Sequence, residues 1–375
     1  MIKNILKKNK KDIIFWAIIL AITIIRIIIV DVQPLKTDYS MVYDDILMLE
    51  QANSILHGNW LGDYNSLTLV KGVFTPIFMA FTNILHIPFL LAIQIFYCLS
   101  CAFLIFVLKK LVKSKTVLAI LFTILMFNPV MYSDNLLRPY RDNIYSSLII
   151  FLIAFLIAIF INRKENAKKL IKYMIGLGLT ISFIYTCREE NLWIMPIIIF
   201  SSLITIIYMC IENKGKEKIK KCLLYLIPIV IFGVIIIAIC SLNYSYYGTF
   251  SLNQYWGKEF KSAYGALTRI EPKRDVARVP VTRETMNRAY EYSPTLKTLE
   301  SFFEGEEGDV WRSIGEGTYT EISGGWFHWA LMDAMEEAGY YKDAKTANET
   351  YLKIAEEINN ACDKRIIRIK VKKKS

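Results

Sequence analysis

Two neighbouring carboxylates, Asp44 and Asp45, and three guanidinium side chains, Arg138, Arg141 and Arg188, have the residue types that group transfer needs. In an adjacent acidic pair, one member can take the proton of an acceptor hydroxyl as general base. The other can orient that hydroxyl or help hold a divalent cation, Mg or Mn. Asp44 and Asp45 are therefore the candidate catalytic pair and the candidate metal ligands. A planar guanidinium meets phosphate oxygens with two parallel hydrogen bonds, which suits Arg138, Arg141 and Arg188 to a phosphate leaving group. Glu189 and Glu190 adjoin Arg188, and Trp60 and Tyr64 follow the acidic pair; these complete the candidate substrate-binding set. No Gly-rich nucleotide loop appears, so a donor carried on a lipid phosphate is easier to accommodate than a soluble sugar nucleotide.

Each of these residues also has a purely structural reading. An Asp-Asp pair ahead of a helix serves as N-cap and first-turn acids. The run Asp45 to His57 does have helical spacing (Ile46, Leu49, Ala52, Ile55, Leu56), so the two readings are compatible. Arg138 and Arg141 equally suit the lipid headgroup level, paired with lipid phosphate or with Asp142. Arg188, Glu189 and Glu190 suit a solvated connecting turn with an internal ion pair. Arg26, near the end of the first apolar run, can snorkel to the membrane surface. Trp326, Phe327, His328 and Trp329 can stack on sugar faces or pack a soluble domain. His57, His86 and His328 lack the spacing of a zinc site.

The elements that must position these residues are helices in lipid. Of 375 residues, 54% are hydrophobic and 21% charged, and the apolar residues come in blocks too long for a water-soluble fold to hide. Spanning a bilayer takes about 20 apolar residues. Such runs lie near 12–30, 89–109, 116–132, 144–161, 170–186, 192–211 and 222–242. The net charge of +11 comes from short Lys and Arg clusters between these runs rather than from one soluble face, which argues against nucleic acid. Cytoplasmic loops collect Lys and Arg. With the N-terminus inside, the clusters at 109–115, 163–172 and 214–221 all fall inside, and the acidic pair and the arginines fall outside. The segment 72–87 is short and contains Pro76, and it reads as an interfacial helix. The basic start at Lys3 to Lys11, with no cleavage site after the apolar run, reads as a retained helix. Cys98 and Cys101 spell C-x-x-C inside a span and read as small apolar packing residues.

The expected architecture is an all-α integral membrane protein with about seven crossings. A polytopic domain covers 1–242, with a large outer loop at 31–71. A mainly helical extracytoplasmic domain covers 243–375, with helices over 293–305, 325–339 (stopped by Gly339) and 341–362, and room for a short strand near 275–283. The final basic tail runs against the orientation rule, as it would in a piece of a longer polytopic protein.

The stretch VYDDILMLEQANSILHGNWLGDYNSLTLVKG (42–72), directly after the first span, resembles the first outer loop of the GT-C glycosyltransferases. That class includes protein mannosyltransferases and aminoarabinose transferases that use polyprenyl-phosphate sugars. RPYRDNIY (138–145), TCREENLW (186–193) and the run from GWFHWAL to AEEINNACD are similar to bacterial members of unsettled chemistry. The resemblance implies that Asp44 and Asp45 are the catalytic or metal-associated pair. It also implies a polyprenyl-phosphate sugar as donor and a cell-envelope glycan or protein as acceptor. The chain departs from the class in having fewer spans. Two other readings remain open: a transporter or lipid flippase, although no span carries an acidic residue in its interior, and a truncated, non-catalytic relative acting as a binding or assembly subunit.

Overall fold

The protein is described here by a computed structural model covering residues 2–37, 41–133, 136–188, 191–314 and 320–369. Among the described residues there is no strand, only one antiparallel bridge between Ile270 and Ile369. Among the described residues seven helices are long and apolar enough to cross a membrane: Lys10–Asp31, Phe89–Leu108, Lys115–Tyr132, Arg141–Ile161, Ala167–Cys187, Met195–Glu212 and Gly215–Tyr247. They coincide with the seven runs found in the sequence. The chain falls into two units, Met1–Gly62 with Gly72–Ile239, and Asp63–Lys71 with Cys240–Ser375. A short segment of the first long loop thus belongs with the C-terminal residues.

In the first unit the helices are α1 (Ile2–Asp31), α2 (Leu47–Leu56), α3 (Phe74–Ile84), α4 (Phe89–Leu108), α5 (Lys115–Met126), α6 (Arg141–Ile161), α7 (Ala167–Cys187), α8 (Met195–Glu212), α9 (Gly215–Leu223) and α10 (Leu226–Tyr247), which runs on into the second unit. Helix α3 has 11 residues. That length is about 16 Å, half of what a crossing needs. Helices α3, α4, α6 and α7 share one core, with Phe74, Ile93, Ile144, Leu148, Leu152 and Leu177 buried. Gly176 lets α7 approach α6, because a Cβ there would stand 2.2 Å from the Phe155 ring. Cys98 and Cys101 lie buried in a second core with Phe15, Leu118 and Phe122, as small apolar side chains. All seven cysteines are free thiols.

Helix α5 stops at Met126, the apolar span Lys115–Tyr132 being completed by a 3-10 turn at Pro129–Tyr132, and the reason is local. Asn128 precedes Pro129, which disfavours helical backbone at 128 and lacks an N–H of its own. The last carbonyls of α5 are therefore left without intrahelical donors, with Met126 itself fully buried. Side chains from three other elements supply those donors. Tyr97 on α4 donates to the Leu125 carbonyl at 2.8 Å, and Tyr132 donates to the Met126 carbonyl at 3.0 Å. Arg26 on α1 also donates to Met126, and its Nε and Nη2 donate to Gln94 Oε1 at 2.9 and 2.5 Å. The Arg26 guanidinium lies 4.5 Å from the Tyr97 ring centre and 5.1 Å from that of Tyr132. Arg26 is 0% exposed, so it does not snorkel as the sequence led us to expect. The capping geometry outweighs escape to the surface because it satisfies the guanidinium and the helix end together.

The basic connections gather at one end of the unit. Asp12 pairs with Lys109 at 2.8 Å and Lys115 at 2.6 Å, Lys110 donates to Asn162 at 2.5 Å, and Arg163 pairs with Glu212 at 2.9 Å. Buried Lys221 donates to the Arg163 carbonyl at 2.9 Å and to Asn213 at 2.6 Å, tying the α6–α7 and α8–α9 connections together.

The second unit contains α11 (Lys258–Arg269), α12 (Arg283–Tyr292), α13 (Pro294–Lys297), α14 (Glu300–Glu304), α15 (Glu306–Ile314), α16 (Phe327–Glu337) and α17 (Ala344–Asp363). The helix expected over 293–305 breaks at Thr298–Leu299 into α13 and α14. Gly339 stops α16 with a φ of +77°, as expected. Asp343 caps α17 by accepting from Thr346 N at 2.7 Å. No strand forms at 275–283, where Arg278 has a φ of +62° and Pro280 has no N–H to give a ladder.

Candidate functional site

Asp44 and Asp45 lie in a single π-helical turn, Val42–Ile46, that leads into α2. Its cap position is Met41, without a side-chain cap, and the two acids occupy the first turn. Adjacent residues of a helical turn point in different directions. Asp45 accordingly turns inward and is 0% exposed, while the Asp44 side chain keeps 30% of its surface.

Arg138 comes to them from a position 93 residues later. Its Nε donates to both oxygens of Asp45 at 2.9 Å, its Nη2 donates to Oδ1 at 2.6 Å, and that Nη2 lies 4.0 Å from Asp44. The hydrogen bonds to Asp45 hold the guanidinium pKa above its ordinary value, against the opposing effect of burial. Among the described residues Nη1 of Arg138 makes no hydrogen bond.

The backbone that presents Arg138 is fixed at three points. Lys36 N donates to the Leu137 carbonyl at 3.0 Å, and Tyr140 N donates to the Arg138 carbonyl at 2.8 Å. Asn143 Nδ2 donates to that same carbonyl at 2.7 Å. Tyr140 lies between two guanidinium groups: Arg138 is 5.5 Å and Arg141 5.4 Å from its ring centre, and Arg141 Nε donates to its hydroxyl at 3.1 Å. Burial pushes the Tyr140 phenol well above its usual range, so it stays neutral.

Arg188, just past the end of α7, pairs with Asp142 at 2.7 Å and lies 5.4 Å from the Tyr145 ring centre. The two helix ends are locked by Cys187, whose thiol donates to the Arg141 carbonyl at 3.8 Å and lies 3.7 Å from Thr75 Oγ1. Gly72 is needed nearby, since a Cβ there would stand 2.2 Å from the Thr186 carbonyl oxygen.

The fold thus gathers Asp44, Asp45, Arg138 and Arg141 into one cluster, with the Arg188–Asp142 pair one residue further along α6. Trp60 belongs to the same unit, half-buried, with a φ of +40° that a bulky side chain adopts only where its surroundings over-determine it. Tyr64 belongs to the second unit, where its hydroxyl donates to Gln254 at 2.8 Å. Glu189 and Glu190 lie outside the described residues. Tyr140 was not singled out from the sequence. The Arg-Pro-Tyr-Arg spacing that frames Tyr140 was the available signal.

For a divalent cation the donor set is poor. Both oxygens of Asp45 accept from Arg138, so a guanidinium stands where a second carboxylate would be offered, and no three His, Cys, Asp or Glu gather among the described residues. Arg138, rather than a metal ion, is the positive charge beside this acidic pair. Helix α6 carries 21 residues from Arg141 to Ile161. It separates the acid–arginine cluster from the basic end by about 30 Å, one hydrocarbon thickness. Comparison of the chain with protein-family models, with characterised proteins and with solved structures finds no match.

Proposed function

We propose that the protein is a membrane glycosyltransferase of the GT-C kind, multi-pass in the cell membrane with a cytoplasmic N-terminus. On this reading it moves a sugar from a polyprenyl-phosphate donor to an acceptor hydroxyl, on a cell-envelope glycan or protein, at the extracytoplasmic face. The observation that carries the reading is the acid–arginine cluster about one bilayer thickness from a Lys- and Arg-rich end. Arg138 Nη1, Arg141 and Arg188 bind the donor phosphate. Asp44, the more exposed acid, takes the proton of the acceptor hydroxyl. That oxygen bonds to the anomeric carbon as the bond to phosphate breaks, and the polyprenyl phosphate leaves with the electron pair. Asp45 does not touch the reactants; it orients Arg138 and balances its charge. Among the described residues no second carboxylate is placed as a nucleophile, and on this reading the displacement is single and inverting.

The test is transfer of label from polyprenyl-phosphate sugars in membranes that express the chain, with Asp44→Asn as control. Loss of transfer in a variant that inserts normally supports the reading; an unchanged rate refutes it. A second reading, a non-catalytic binding or assembly subunit, is favoured by the full engagement of Asp45 with Arg138. Under it the protein binds a polyprenyl-phosphate sugar and never turns it over. Nothing in the geometry favours a transporter or flippase.

A further inference from the structure

The loop that leaves α10 is pinned on one side and apolar on the other. Asn243 donates to the Ser251 carbonyl at 2.7 Å, Gln254 N to the Leu69 carbonyl at 2.7 Å, and Trp256 N to Asn253 Oδ1 at 2.9 Å. The Asn253 amide donates to the Val70 carbonyl, and that of Gln254 to Asn348 at 3.0 Å. Despite this anchoring, Tyr244, Phe250 and Trp256 are 62, 61 and 41% exposed. Tyr244 lies on the last turns of α10, and Phe250 and Trp256 lie in the loop itself; a segment held this firmly could have turned its large aromatic groups inward, and facing them outward marks a contact surface.

What covers that surface follows from the helix that precedes it. The apolar span Gly215–Tyr247 ends three positions before Phe250. Three residues reach at most about 10 Å, so Phe250 stays near the headgroup layer of any bilayer that α10 crosses. Tyr and Trp favour that layer, where an apolar body and a polar tip are both satisfied. Exposed Lys258 and Lys261 follow, and Lys261 Nζ is 4.6 Å from the Trp256 ring centre. Ammonium groups at this depth meet lipid phosphates.

We propose that this loop is a membrane-contacting edge of the second unit. Tyr244, Phe250 and Trp256 enter the headgroup layer of the leaflet where α10 emerges, and Lys258 and Lys261 face the phosphates of anionic lipids. The proposal rests on α10 crossing the membrane and is independent of the transferase reading.

The experiment uses the full chain in nanodiscs of phosphatidylcholine and phosphatidylglycerol, with and without bromine on the acyl chains near the headgroup. Tryptophan emission is compared among the wild type, Trp256→Phe and Trp16→Phe, Trp16 on α1 reporting insertion. The emission lost in Trp256→Phe is expected to be quenched at least twofold by brominated lipid. Lys258→Glu/Lys261→Glu should weaken that quenching in discs rich in phosphatidylglycerol. If the Trp16 emission is quenched and that of Trp256 is not, the loop faces water, another protein or a second copy, and the proposal fails. If neither is quenched, the crossing is refuted and the proposal with it.

Discussion

Breaking the Asp45–Arg138 pair should cost stability unequally from its two ends. Asp45 is 0% exposed, whereas the Arg138 side chain keeps 19% of its surface and lies 4.0 Å from Asp44. Arg138→Ala leaves a carboxylate with no route to water, a loss of about 3–5 kcal/mol. Asp45→Ala leaves a guanidinium that can lean on Asp44 and solvent, and about 2–3 kcal/mol is a reasonable cost. The double variant buries neither charge alone and should fall short of the sum by about 2–3 kcal/mol. At about 2–4 °C per kcal/mol for a domain of this size, Arg138→Ala lowers the melting temperature by on the order of 10 °C. The assay is thermal unfolding of the four proteins, purified under one set of conditions. Additivity within about 0.5 kcal/mol would refute the pair. A loss larger for Asp45→Ala than for Arg138→Ala would refute the argument from burial.

Other consequences can be checked in the same preparation. Arg26→Met removes both hydrogen bonds that Gln94 Oε1 accepts while Tyr132 still serves Met126, and should cost about 2–4 kcal/mol; adding Gln94→Leu should recover most of it, and failure to recover would show that Gln94 is not the partner. Gly72→Ala sets a Cβ 2.2 Å from one backbone oxygen and 2.8 Å from another, neither of which can swing away, so a loss of about 1–3 kcal/mol is expected; an unchanged melting curve would contradict the close approach. Burial lowers the His328 pKa from 6.5 to about 4. Between those values the unfolded chain binds a proton that the folded one does not, so stability falls as pH drops from 6.5 towards 4, and His328→Gln should flatten that part of the pH–stability curve.

The seven long apolar helices were legible because a run of about 20 apolar residues suited to lipid has one way to satisfy its backbone there. The short α3 was legible for the converse reason, length together with Pro76. The candidate cluster was legible by type: two adjacent acids and three arginines all fell at or between the ends of apolar runs that the charge pattern expects on one side of a membrane. The roles within it were not. Asp44 and Asp45 are equivalent in composition, and only the phase of the turn at 42–46 decides which is buried and which remains accessible.

What only the tertiary structure decided are the partners that lie far apart along the chain. Arg138 meets Asp45 across 93 positions and Arg26 meets Met126 across 100. Local propensity carries no information over such separations; these pairs form because packed helices bring their ends together and bury at least one partner, Asp45 in one pair and Arg26 in the other, away from water. The sequence alone determined how many apolar helices the chain makes and which ends of them are charged, since both depend on residues that are neighbours in the chain.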